Sequence, residues 1–154
     1  MSEEEIITQA ISSEDVPQLE NIELLFFAYR DFVADPDRIL RQYGFGRAHH
    51  RALFFVNRRP GLTVAELLDI LKITKQSLAR VLKQLIEAGH IVQSEGKFDR
   101  RKRMLFPTRQ GRNLILELSQ PQSRRINSAF DQIDPELREA VSDFLRSVRG
   151  EQSE

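Results

Sequence analysis

The stretch that decides the fold runs from Pro60 to Gly89 and reads PGLTVAELLDILKITKQSLARVLKQLIEAG. Thr63 and Glu66 form a capping box, in which the threonine oxygen accepts from the third helical amide and the glutamate reaches back to the cap. Val64, Leu67, Leu68 and Leu71 then fall on one side of a short helix. Leu71-Lys72-Ile73 must turn before the next cap, Thr74. From Thr74 to Ala88 the apolar residues Leu78, Val81, Leu82, Leu85 and Ile86 follow helical spacing at every step. Gly89 stands where a glycine in the left-handed conformation ends a helix. The pattern is two helices joined by a tight turn.

Working outward, Ile91 to Glu95 and Arg103 to Phe106 read as two short strands around the polar tip GKFDRRK, residues 96–102. Thr108 caps another helix through Leu114, Ile115 and Leu118, and Pro121 predicts a kink or break in it. A further helical stretch through Ile126, Ala129, Phe130 and Ile133 follows. Asp134-Pro135 then sets a cap before a proline at the first helical position, with a stripe of Leu137, Val141, Phe144, Leu145 and Val148 ending at Gly150. On the N-terminal side, Arg47 to Val56 is a short helix closed by the turn Asn57 to Gly61. Pro17 to Val33 is helix-compatible and apolar on nearly every side, ending in Asp35-Pro36-Asp37, because proline disfavours helical geometry at the residue before it. A helix apolar all round must be buried all round, and a core this small covers one face only, so the other face points to a second subunit.

The expected fold class is therefore mainly α with a small β-hairpin wing (α+β). It is a winged helix-turn-helix at 47–111, between an acidic segment with a dimerisation helix at 1–46 and C-terminal dimerisation helices at 112–154. At 154 residues and 40% hydrophobic content the chain can bury one real core. It contains no cysteine, which excludes disulfides, thiolate metal sites and cysteine nucleophiles. No apolar run approaches a membrane span, and the acidic start Met-Ser-Glu-Glu-Glu is unlike a secretory signal, so a cytoplasmic protein with no membrane partner is expected.

The formal charge is zero, but it is segregated along the chain. Residues 1–20 carry six acids and no bases, whereas residues 72–112 carry eleven bases and three acids. One middle region is electropositive, as a nucleic-acid partner requires. The second helix of a helix-turn-helix enters the major groove by its N-terminal end. The residues placed to read duplex DNA there are Thr74, Lys75, Gln76, Ser77, Arg80 and Lys83: lysine and arginine donate to guanine, glutamine pairs with adenine, and a helix N-terminus receives a phosphate. The wing adds Lys97, Arg100, Arg101, Lys102 and Arg103 on a tip with no core to support, where arginine suits the negative minor groove. Asp99 is expected to hold one wing arginine, Arg101 or Arg103, in an extended pose. A solvated charged surface is the plain alternative for each set taken alone; their adjacency favours DNA.

These residues resemble the MarR-type bacterial transcriptional regulators. The matching motifs are Pro60 to Leu67, Thr74 to Ser77, Leu85 to Ile91, Asp99-Arg100-Arg101 and Thr108-Arg109-Gln110-Gly111. The resemblance covers about Arg47 to Gly111 well and the flanking helices in outline. It implies a homodimer paired through its terminal helices, two DNA-binding lobes on a near-palindromic operator, and repression relieved by a small-molecule effector. It also implies that Asp99 braces the wing and that Arg101 enters the minor groove. Pro107 and Pro121 depart from the family pattern and bear on the dimer geometry.

The resemblance places a ligand pocket between the dimer helices and the DNA lobe, where Phe26, Phe27, Tyr29, Arg30, His49, His50 and Phe54 are the candidates. The same side chains also suit plain core and interface packing. His49 and His50, being adjacent on a helix, point about 100° apart and do not share a metal easily. No metal and no cofactor are expected. No catalytic constellation of useful spacing is present, so the function reads as binding, with a protein-interaction or RNA-binding winged helix as the alternative. Such an interaction module would expose apolar residues where this chain has Lys75, Gln76, Ser77 and Arg80.

Overall fold

The structure is a computed structural model and describes residues 4–96 and 101–150. In chain order these form α1 (Leu19–Gln42), α2 (Arg47–Arg58), β1 (Leu62–Thr63), α3 (Val64–Leu71), α4 (Lys75–Glu87), β2 (Ile91–Glu95), β3 (Arg103–Pro107), α5 (Arg109–Phe130), a 3₁₀ turn (Pro135–Leu137) and α6 (Arg138–Val148). The chain divides into two compact units, Met1–Ala34 and Asp35–Glu154.

In the first unit, residues 4–18 form neither helix nor strand, and Ser12 and Asp15 close a turn in which the Ser12 amide donates to the Asp15 carboxylate at 2.9 Å. The helix that follows carries Ile22, Leu24, Leu25, Phe26, Phe27 and Tyr29, all exposed in the single chain, Phe26 the most at 73%.

In the second unit one core gathers Leu40, Leu53 of α2, Leu67 of α3, Leu85 of α4, Ile91 of β2, Leu105 of β3 and Leu118 of α5. Each is under 2% exposed. The strands form an antiparallel sheet in the order β1-β3-β2, with Leu62 opposite Leu105 and Ser94 opposite Met104. The β2–β3 hairpin is the expected wing. The third strand was not expected, because two residues are too few to show alternation and Leu62-Thr63 reads first as the lead into a cap. No residue of α6 is buried.

Two expected helix boundaries are corrected. The first helix does not end at Asp35-Pro36 but runs on to Gln42. Proline removes one intrahelical bond and crowds the carbonyl four residues back, yet Pro36 is fully buried one turn before the core residue Leu40. Packing there outweighs the local preference. Likewise α5 passes through Pro121 without a break and absorbs the separate stretch expected around Ile126. Leu114, Ile115 and Leu118 anchor it before the proline, and beyond it Arg125 pairs with Asp35 at 3.4 Å. A smaller correction concerns Asp134, which makes no side-chain cap; Pro135 opens a 3₁₀ turn before α6 begins.

Candidate nucleic-acid interface

The helix pair forms as its caps dictate. The Thr63 oxygen accepts from the Glu66 amide at 3.1 Å, and its hydroxyl donates to the Glu66 carboxylate at 2.8 Å. Lys72, at φ 51°, adopts the left-handed conformation and stops α3, its amide still donating to Leu68 O. Two residues later the Thr74 oxygen accepts from the Ser77 amide at 3.1 Å while its hydroxyl donates to Ser77 Oγ at 2.8 Å. The Ser77 hydroxyl hydrogen is left to donate outward.

Helix α4 splits into two faces. Leu78, Val81, Leu82 and Leu85 are buried, whereas Lys75, Gln76, Arg80 and Lys83 are exposed. Lys83 lies 4.0 Å from Glu87, an exposed pair of little energetic weight. Lys75, Gln76 and Arg80 form no ion pair among the described residues. The N-terminal end of α4 thus presents two exposed cations and an exposed amide side chain together.

On the wing, Arg101, Lys102 and Arg103 are exposed. The Gly96 amide donates to Lys102 O at 2.8 Å, and Glu95 stands opposite Arg103, which fixes where the hairpin tip begins and ends. Lys97, Asp99 and Arg100 lie outside the described residues, and with them the expected Asp99 brace.

The candidate pocket residues fall in the two units. In the first, the Arg30 guanidinium sits 4.7 Å from the Phe27 ring centroid and pairs with Asp31 at 2.9 Å. In the second, the Gly46 amide donates to His49 Nδ1 at 3.0 Å. The ring proton is therefore on Nε2, which faces Gln84 Oε1 of α4 at 2.5 Å. Phe45 stacks on the same ring with centroids 4.8 Å apart. His50 points elsewhere: burial pushes it below the ordinary histidine range, with the nearby Asp37 charge opposing the shift. Phe54 packs edge-on against Phe55. Two grooves of about 480 and 570 Å³ open elsewhere, around Asp35 and Pro121, and both are lined by Arg124. Neither involves these seven residues.

His90 is a functional-looking residue that spacing did not single out. It follows Gly89 directly, is 2% exposed, and carries an Nδ1 with no partner among the described residues. Tyr43 and Phe45 meet its ring edge-on. Burial lowers its pKa, a backbone hydrogen bond at Gln110 acting the other way. The only signal in the sequence is a polar residue at a position that a helix exit usually fills with an apolar one.

A two-helix reading head, a basic hairpin beside it and a shared core define a winged helix-turn-helix regulator. Comparison with known proteins agrees. A sequence model of the MarR family matches residues 43–102. The HTH-type transcriptional regulator PetP of Rhodobacter capsulatus is 50% identical over 123 residues, covering 80% of this chain and 72% of the relative. The chain belongs to the MarR family and is a DNA-binding transcriptional regulator. Among solved structures, a MepR mutant from S. aureus superposes with a TM-score of 0.73 at 16% identity, covering 84% of this chain and 97% of that one. NadR in complex with 4-hydroxyphenylacetate superposes at 0.70 with 22% identity, covering 93% and 97%. At these identities the structures speak for the fold.

Proposed function

We propose that this chain is a homodimeric repressor that binds a near-palindromic duplex operator. In each copy α4 enters the major groove, with Lys75, Gln76, Ser77 and Arg80 reaching base edges, Thr74 and Lys83 meeting the backbone, and the wing residues from Lys97 to Arg103 following the adjacent minor groove. Asp99 braces the wing and Arg101 is its deepest residue. The observation that carries this reading is the exposed polar N-terminal face of α4, where Lys75 and Arg80 form no ion pair among the described residues, set opposite the buried Leu78, Val81, Leu82 and Leu85.

The proposed organisation is a dimerisation segment at 1–46, a DNA lobe at 47–111 and a second dimerisation segment at 112–154. The exposed apolar side chains of α1 and α6 support a second copy. A small organic effector is proposed to enter beside Phe26, Phe27, Tyr29, Arg30, His49, His50 and Phe54, a reading supported by the complex recorded for NadR, a neighbour in fold. The protein works by binding rather than catalysis, in the cytoplasm. No described helix is long and apolar enough to cross a membrane.

The test is binding to duplexes selected from random DNA, with single-stranded RNA of the same sequence as competitor. Arg80→Ala is expected to weaken duplex binding by about 1–3 kcal/mol and to relax preference at one position. Arg101→Ala should lower the salt slope by about 0.9 for one lost phosphate contact. Equal binding to the RNA, or unchanged slopes, would count against the interface.

A further inference from the structure

The exit of the reading helix and the entry of α5 are a single joint. Gly89, at φ 83°, lets the chain turn back so that its amide donates to Ile86 O at 3.0 Å and the His90 amide to Leu85 O at 2.9 Å, closing α4. The next two carbonyls, of Gly89 and His90, both take their hydrogens from Thr108. Its hydroxyl donates to Gly89 O at 2.6 Å and its amide to His90 O at 3.1 Å. The same hydroxyl oxygen accepts from the Gly111 amide at 3.0 Å and so caps α5.

One oxygen therefore serves two helix ends, as donor to one and acceptor from the other. The joint has no slack. A Cβ on Gly111 would lie 1.9 Å from the His90 carbonyl oxygen, so α5 approaches closer than any side chain would allow. On its other side, His90 is enclosed by Tyr43 and Phe45 at ring separations of 5.8 and 5.6 Å.

We propose that Thr108 is a positioning residue for DNA recognition: its two-way hydroxyl fixes the angle between the reading helix and α5, and with it the half-site spacing that the protein accepts. The inference rests on the dimeric reading above. Lever length makes it consequential. A helix of 13 residues is about 20 Å long, so a tilt of about 5° at its C-terminal end carries the reading end by about 2 Å. That is more than half of the roughly 3.4 Å step between base pairs.

Threonine and serine can both donate and accept at this position; aspartate can only accept. Thr108→Asp thus keeps the cap of α5, which aspartate fills well, while losing the bond to Gly89 O. Thr108→Ser keeps both. The experiment takes a duplex selected by the wild-type protein and lengthens or shortens the spacer between half-sites by one and two base pairs. Anisotropy titrations at one salt concentration then compare the wild type and the variants, with thermal unfolding as the control for the fold.

The wild type and Thr108→Ser are expected to lose roughly tenfold in affinity per base pair of displacement. Thr108→Asp should unfold near the wild-type temperature yet bind the displaced duplexes almost as well as the selected one. Thr108→Ala, which removes both bonds without adding charge, should show the same flattened profile and serves if the aspartate variant does not fold. A variant that keeps the wild-type spacing profile, even with uniformly weaker binding, overturns the joint. A wild type indifferent to spacing overturns the two-headed reading itself, and the joint with it.

Discussion

Helices α4 and α6 carry the same kind of amphipathic pattern and meet opposite fates. In α4 the apolar stripe is closed within the chain, Leu85 being 0% exposed; in α6 and the turn before it the stripe through Leu137, Phe144, Leu145 and Val148 lies open, Phe144 being 57% exposed. A helical stripe thus reports that a partner surface exists and is silent on which chain supplies it. For α4 the partner is the rest of the lobe. For α6 we assign it to a second copy.

Substitution can break that contrast. Leu85→Ala is expected to cost about 2–5 kcal/mol of folding stability, read as a fall in the urea midpoint, since it empties a fully buried site. Phe144→Glu should leave the midpoint of the isolated chain nearly unmoved and instead raise the dimer dissociation constant at least about a hundredfold. Two side chains worth about 1.5–3 kcal/mol each are lost from a symmetric contact. Sedimentation that shows an unchanged dimer would reassign the α6 face.

The helix starts sharpen the comparison on a smaller scale. Thr74→Ala should destabilise the lobe by about 1 kcal/mol through loss of its cap. Asp134→Ala should be close to neutral, because that side chain makes no cap bond before the turn leading into α6. The smallest expected effect belongs to pH. His90 and His50 are both held below the ordinary value of 6.5, so the folded state binds fewer protons than the unfolded one as pH falls through that value. Stability should be full above 6.5 and decline below it. Replacing His90 with Gln should flatten part of the decline below pH 6.5.

How much could be read in advance followed the same division. The stripe of α4, the caps at Thr63 and Thr74 and the glycine exit at Gly89 are local, and each formed as its residues predict. Pro36 and Pro121 were misread for one reason: a proline's local cost is visible in sequence, while the packing around Leu40 and Leu118 that offsets it comes from distant elements. β1 escaped because its only signal is its pairing with Leu105 and Met104, some forty residues away. The split of α4 into a buried stripe and an exposed polar face was legible residue by residue. The joint at Thr108 was legible only as a cap, since its second bond goes to Gly89, nineteen residues earlier.

His49 has a consequence for the chemistry of any effector. Both of its nitrogens are committed, Nδ1 to the Gly46 amide at the start of α2 and Nε2 to Gln84 on the reading helix. A compound that merely fills apolar space beside this ring leaves both attachments in place. One that takes a nitrogen for itself must uncap α2 or release Gln84, and its affinity is then tied by reciprocity to the state of α4, the helix proposed to enter the major groove. Small molecules offered to this protein should therefore sort into silent occupants and levers, according to whether they compete for an imidazole nitrogen.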